Sequence, residues 1–280
     1  MKRHLKRASL ALLSGFLAFG AVQSARADDL LTTIKKTHEI TVGTENDPPL
    51  SYVDSKGQLA GIYADITTEA FKRMGLGDVT VKPIAMPFAS LIPSLLSGRI
   101  QMVDDSMTAT AKRAEIISFT DTIYFNPESL DVAIGNPKHL QTLADLCGKA
   151  AGTYEGTTYL ALLQKANTSC PADKKMDIHA YPTLDNAFAD LSAGRVDAVV
   201  ASGALSSYAL VKNPNLKFEL VKTYVPADRP HANSALAVSK SDTAFIAAFN
   251  KVYAGMLADG SVAKIFTKWG LTPTDFFLKP

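Results

Sequence analysis

The segment Asp105-Ser106-Met107-Thr108-Ala109-Thr110-Ala111-Lys112-Arg113-Ala114 concentrates groups that can hold an anion. Its hydroxyls, Ser106, Thr108 and Thr110, alternate, so an extended backbone puts them on one face. Arg113 follows within reach. A guanidinium offers two parallel N–H donors that match a carboxylate, and hydroxyls and backbone N–H groups add further donors. The rival reading of Arg113 alone is a solvated arginine on a helix. A second cluster is Tyr154-Glu155-Gly156-Thr157-Thr158. Glycine there lets the backbone approach a ligand. Thr158 and the unpaired N–H groups of a following helix favour an anion; the rival is an ordinary threonine N-cap.

Other chemistries find no support. The five histidines (His4, His38, His139, His179, His231) lack metal-ligand spacing, so neither a metal nor a cofactor is expected. No Ser–His–Asp set is legible. Two cysteines, Cys147 and Cys170, are present. In an oxidising compartment an isolated pair usually bridges, the alternative being two free thiols. The closed loop would be worth roughly 3 kcal/mol by chain-entropy arithmetic.

The elements that would carry these groups alternate between strand and helix. Ile40 to Thr44, Val79 to Ile84 and Ile100 to Val103 read as strands. Tyr63 to Met74 and Ser90 to Leu96 read as helices, Pro93 falling in the first turn of the latter. A second block begins near Leu143. Lys149 to Thr153 and Val196 to Val200 are its strands; Tyr159 to Lys165 and Leu184 to Leu191 are its helices. Phe245 to Met256 is a long amphipathic helix with Phe245, Phe249, Val252 and Met256 in step. The pattern predicts an α/β fold with parallel strands.

The two blocks echo each other. Gly98-Arg99-Ile100 leads into a strand and then Ser106; Gly194-Arg195-Val196 leads into a strand and then Ser202, with the same glycine-to-serine spacing of eight. Ligands of open parallel sheets bind beyond the carboxyl ends of the strands. If the blocks face each other, Ser106 and Ser202 line a shared cleft. The rival is that Gly-Arg-apolar is a common joint between helix and strand.

The N-terminus carries Lys2, Arg3, Lys6 and Arg7, an apolar stretch from Leu10 to Val22, and Ala25-Arg26-Ala27. This is the order of a secretory signal peptide cleaved after Ala27, and it predicts export to a periplasm. Five of the 29 Lys and Arg residues and none of the 27 Asp and Glu lie in residues 1–27. The mature chain therefore has 24 basic against 27 acidic residues, a net of −3. Nucleic-acid binding, which needs a basic excess, is not expected.

In order and spacing, these segments resemble the polar-amino-acid solute-binding family of bacterial ABC importers. The landmarks are Val42-Gly43-Thr44-Glu45 with Pro48-Pro49; Gly61-Ile62-Tyr63-Ala64-Asp65; Leu91-Ile92-Pro93-Ser94-Leu95; Met107-Thr108-Ala109-Thr110 with Arg113; Phe119-Thr120-Asp121 with Tyr124; Gly156-Thr157-Thr158; Gly194-Arg195-Val196-Asp197-Ala198; and Asp259-Gly260 through Lys268-Trp269-Gly270. The resemblance implies a two-lobed periplasmic-binding-protein fold, two α/β domains joined by two crossovers. These would lie near Tyr124 to Ser129 and Val225 to Asn233. Lobe 1 would comprise residues 28–126 and 231–280, and lobe 2 residues 127–230. It also implies a monomer that delivers a small carboxylate, an amino acid or a similar compound, to a membrane permease.

By the same resemblance Arg113 would pair with the ligand carboxylate, and Ser106 and Thr108 would serve carboxylate and amine. Thr158, with Thr157 beside it, would hold the carboxylate from the other lobe. Phe88 would form an apolar wall, and Glu45 would face the ligand's far end. Two departures stand out. The family usually has Asp, binding the α-ammonium, where this chain has Ser202. The loop Glu45-Asn46-Asp47-Pro48-Pro49-Leu50 is one residue short and lacks an aromatic before the prolines. Either Glu45 or Asp47 takes the cation, or the ligand lacks a primary α-ammonium. The alternative function is a periplasmic dehydratase-like enzyme on the same fold, for which Glu45 and Glu155 are the acids to consider. A third reading is a sensory module, which usually accompanies a membrane or catalytic domain.

Overall fold

A computed structural model describes residues 28–227 and 232–271. The expected leader, residues 1–27, lies outside the described residues, as do residues 228–231 of the second expected crossover and residues 272–280. The chain runs α1 (Leu30–Thr37), β1 (Glu39–Thr44), β2 (Tyr52–Val53), β3 (Leu59–Ala60), α2 (Ile62–Arg73), β4 (Thr80–Ala85), α3 (Phe88–Leu96), β5 (Met102–Thr108), α4 (Ala111–Ala114), β6 (Ser118–Phe119), β7 (Tyr124–Phe125) and β8 (Glu128–Ala133). It continues through β9 (Ala150–Tyr154), α5 (Thr158–Thr168), β10 (Asp177–Tyr181), α6 (Leu184–Ser192), β11 (Ala198–Ser202), α7 (Gly203–Lys212), β12 (Phe218–Leu220), β13 (Asn233–Val238), α8 (Thr243–Ala258) and α9 (Ser261–Lys268).

The strands form two main sheets, one per lobe. The first has the order β4-β1-β5-β13-β6, with β7 also on β13; the second has the order β10-β9-β11-β8-β12. β1 is parallel to β4 and β5, and β9 is parallel to β10 and β11. The expectation of parallel strands fails at two places. β13 is antiparallel to β5, and β8 is antiparallel to β11 and β12. These are the strands by which the chain enters each sheet from the other one, and they arrive against the direction of the βα units. Both sheets are therefore mixed, as is common when a crossover strand joins a parallel set.

Periodic apolar residues bury as read. Leu184, Ala187, Phe188 and Leu191 form the inner face of α6, and Phe188 stacks on Phe218 at 4.6 Å. On α8 the buried set is Phe245, Phe249, Tyr253 and Met256; Val252 packs only partly buried against the core. Burying each such large side chain contributes about 1.5–3 kcal/mol. α3 starts at Phe88, so Pro93 lies inside the helix rather than in its first turn. Its missing N–H leaves the Ala89 carbonyl without a helical donor.

The echo between the blocks holds in backbone geometry and fails in one detail. Gly98 and Gly194 both follow a helix with φ near +70° (73 and 69°), a conformation that favours glycine. Ser202 is the last residue of β11. Ser106 instead lies within β5, because pairing of Met107 and Thr108 with β13 carries that strand past it.

Candidate ligand cleft

Arg113 sits on the short helix α4, whose N-cap Thr110 accepts from the Arg113 backbone N–H. Arg113 is buried, with 9% exposure. Nη1 donates to the Thr108 carbonyl at 2.7 Å and Nη2 to the Gly156 carbonyl at 2.8 Å. The group lies 5.2 Å from the centre of the Phe88 ring. Burial pulls its pKa down to about 10. Among the described residues no carboxylate pairs with it. A buried cation held only by neutral carbonyls is one anion short of balance.

Gly156 belongs to the second lobe and Arg113 to the first, so the cleft is closed here. Gly156 has φ +77°, and a Cβ on it would lie 2.9 Å from the Ala89 Cα. Phe88 and Tyr154 meet edge-to-face across the same gap at 6.1 Å. Thr157 is the N-cap of α5, accepting from the Leu160 N–H and donating to the Tyr154 carbonyl. Its hydroxyl is thus consumed in the turn that aims α5 at Arg113. Thr158, the first helical residue, lines a cavity of about 770 Å³ with Thr108, Asn126, Tyr159 and Asn233. This cavity lies on the crossover side. Arg113, Phe88, Glu45 and Asp47 are not among its walls.

Ser106 and Ser202 come together, though not face to face. Ser202 is fully buried; it caps α7 by accepting from the Leu205 N–H and donates to Asn126 Oδ1 at 2.7 Å. Asn126 Nδ2 donates to Ser106 Oγ at 3.0 Å. Ser106 Oγ also meets Tyr124 OH at 2.8 Å and Ser234 Oγ at 3.0 Å. Ser202 therefore reaches the cleft through Asn126, and through Tyr159, whose hydroxyl lies beside it.

Glu45 and Asp47 face each other on the first loop, close enough to share a hydrogen bond. Burial, then the neighbouring carboxylates, raises both; Asp47 reaches about 7. Asp105 lies next to them, buried, raised to about 6 by desolvation. Its oxygens accept from the Glu45 N–H, the Thr44 hydroxyl and the Ser106 N–H. Apart from the proton that the two carboxyls can share, Glu45 Oε1 and Asp47 Oδ2 are buried without a donor among the described residues. Such a pair suits a cation.

Asn126, Tyr154, Tyr159 and Asp105 were not singled out from sequence. Asn126 and Tyr159 enter through tertiary contacts alone. Asp105 could have been suspected from its place beside Ser106, but an acid at the end of a strand is commonly solvated. Cys147 and Cys170 form a disulfide that ties the turn at Leu143–Leu146 to the residues after α5. Among the described residues no helix is long and apolar enough to cross a membrane, and no group of His, Cys, Asp and Glu side chains could hold a metal ion.

Two lobes on mixed sheets, closed over a buried cation and a pair of neighbouring acids, define a binding-protein architecture. The chain belongs to the bacterial extracellular solute-binding proteins, family 3, which it matches over residues 40–272. It is 31% identical over 233 residues to the lysine/arginine/ornithine-binding periplasmic protein of Escherichia coli, covering 82% of this chain and 86% of that one. It is 31% identical over 272 residues to the histidine-binding periplasmic protein of Salmonella typhimurium, covering 95% and 97%. Among solved structures, an ancestral arginine-binding protein bound to arginine matches with a TM-score of 0.73 at 30% identity, covering 83% of this chain and 98% of that one. An ancestral amino-acid-binding protein, a precursor of cyclohexadienyl dehydratase, matches with the same TM-score at 25% identity, covering 85% and 98%. The curated relatives named here are periplasmic binding proteins.

Proposed function

We propose that this chain is the periplasmic binding component of an ABC importer and captures a small carboxylate, an amino acid or an amino-acid-like compound, by closing its lobes. It would work as a monomer in the periplasm after cleavage behind Ala27 and hand its ligand to the membrane permease. Lobe 1 would span residues 28–126 and 231–280, and lobe 2 residues 127–230. The single observation that carries the reading is Arg113, a buried guanidinium held between the lobes with no acidic partner among the described residues.

In this reading Arg113 takes the carboxylate as a bidentate pair. Thr108, Thr158 and the N-terminus of α5 add donors, with Thr157 shaping that turn. Phe88 walls the site. Glu45 and Asp47 take a cationic group at the other end, because no donor among the described residues satisfies their buried oxygens beyond the proton that they share. The names of the relatives, which bind lysine, arginine, ornithine or histidine, agree with a positively charged side chain. Ser106 and Ser202 act on the ligand's α-position.

A thermal-shift screen of amino acids, opines, betaines and simple carboxylates tests the reading, since a ligand that binds only the native state raises the melting temperature. A cationic carboxylate is expected among the strongest responses, and its shift is expected to vanish in Arg113→Ala. A screen in which only compounds without a carboxylate respond would contradict the reading.

A further inference from the structure

Asn126 joins the two lobes by four hydrogen bonds. Its backbone N–H donates to the Ala232 carbonyl, and its backbone carbonyl accepts from Tyr159 OH. Its side-chain oxygen accepts from Ser202 and its nitrogen donates to Ser106. The orientation of the amide follows from Ser202. That hydroxyl accepts from the Leu205 N–H and donates to Asn126 Oδ1 at 2.7 Å; the Tyr159 hydroxyl also lies within hydrogen-bond reach of it. With Oδ1 turned to Ser202, the amide presents Nδ2 to Ser106 and the cleft.

Asn126 lines the cavity together with Thr108 and Thr158. Ser106 and Thr108 share a face of β5, separated by roughly 6.6 Å at two residues' rise. A carboxylate held at Arg113 beside Thr108 would therefore put its α-substituent near Ser106 and Asn126. The groups waiting there, an amide N–H and a hydroxyl ring, include no carboxylate. Asp105, the neighbouring acid, points to the opposite face of β5, and its oxygens are taken by Glu45, Thr44 and Ser106.

From this geometry we infer that Asn126, oriented by Ser202, is a specificity-determining residue that reads an acceptor atom at the ligand's α-position. The ligand class is a 2-hydroxy or 2-oxo carboxylate rather than a primary α-amino acid. The inference rests on the carboxylate site proposed at Arg113. An α-ammonium at this point would face donors and lack an anionic partner, which disfavours it; a hydroxyl or carbonyl oxygen would accept from the amide. Asn126→Asp changes the polarity with almost no change of shape: the carboxylate still accepts from Ser202 and now offers an anion to an ammonium.

The test is titration calorimetry with two probes that differ only at the α-position, arginine and its 2-hydroxy analogue, 5-guanidino-2-hydroxypentanoate. The wild type is expected to bind the hydroxy acid at least tenfold more tightly. Asn126→Asp is expected to reverse the preference in favour of arginine. Ser202→Ala, which frees the amide to flip, is expected to shrink the wild-type ratio while keeping the fold, checked by its melting curve. A wild type that prefers arginine, with a ratio that neither variant moves, would overturn the inference. Arg113→Ala separates the two levels of the argument. If it abolishes binding of both probes while the ratio ignores Asn126, the inference alone fails. If it leaves both affinities unchanged, or if neither probe binds the wild type at millimolar concentration, the functional reading fails and takes the inference with it.

Discussion

The guanidinium of Arg113 donates to the Gly156 carbonyl at 2.8 Å, although the two residues are 43 positions apart and lie in different lobes. The lobes approach closely because residue 156 has no side chain. An alanine Cβ there would stand 2.9 Å from the Ala89 backbone, and φ is +77°. Gly156→Ala is therefore expected to hold the cleft ajar. The left-handed backbone costs an alanine about 1–2 kcal/mol of stability, and the clash with Ala89, which arises only when the lobes close, should lower ligand affinity. Small-angle scattering on the liganded variant should give a larger radius of gyration than the liganded wild type. Equal affinity and equal radius would mean that closure does not bring Gly156 onto Ala89.

The acids of the first loop predict a pH dependence for cationic ligands. Both are raised: Glu45 by burial and then by Asp47 and Asp105, and Asp47 to about 7 by burial and then by Asp105 and Asp185, with its hydrogen bond to Glu45 acting the other way. At pH 5.5 Asp47 is largely protonated; at pH 8 it is largely ionised. A cationic ligand favours the ionised pair, so affinity should rise between these values and binding should release protons. Calorimetry in buffers of different ionisation enthalpy measures that release. Asp47→Asn should flatten the profile. A ligand without a cation should show the opposite trend or none.

A separate pH effect concerns folding. Asp131 is fully buried in β8, accepts from the Ser129 and Ser206 hydroxyls, and is raised to about 7 by desolvation. The native state thus binds its proton more tightly than the unfolded chain, whose Asp titrates near 3.9. Its contribution to stability is full below about pH 4 and is lost as pH rises toward 7, with a slope approaching about 1.4 kcal/mol per pH unit. Asp131→Asn should remove that part of the slope in denaturant titrations from pH 4 to 8. A wild-type slope retained in the variant would place the effect elsewhere.

The disulfide makes a distinction between stability and affinity. Cys147–Cys170 fastens the far end of α5, whereas the ligand-facing Thr158 lies at its start. Its loss is expected to remove about 3 kcal/mol by loop entropy while changing ligand affinity less than threefold. Denaturation and calorimetry with and without reductant measure both. A large loss of affinity without loss of stability would mean that the bridge sets the position of Thr158.

Much of this was legible in the sequence because it is local. The periodicity of α6 and α8, the cysteine pair and the cluster ending at Arg113 depend on neighbours a few residues apart. The hydroxyls read as ligand donors divide once folded: Thr157 and Ser202 cap helices, Thr108 and Thr158 line the cavity, and Thr110 does both. An N-cap and an anion site use the same residue types at the same helix end, so sequence alone leaves them unresolved. Asn126 was invisible for another reason. Its importance comes from Ser106, Ser202, Tyr159 and Ala232, none of which is near it in sequence. The antiparallel strands β8 and β13 were missed because pairing direction depends on the crossover, not on composition.

The central claim is that Arg113 clamps a ligand carboxylate between the lobes. The most direct measurement is calorimetry of the best carboxylate from the ligand screen against wild type, Arg113→Ala and Arg113→Lys. Removing one partner of a buried, hydrogen-bonded ion pair costs about 2–5 kcal/mol, so Arg113→Ala is predicted to lose at least about thirtyfold in affinity. Arg113→Lys should recover only part, because an ammonium lacks the planar fork. Unchanged affinity in a folded Arg113→Ala would contradict the account.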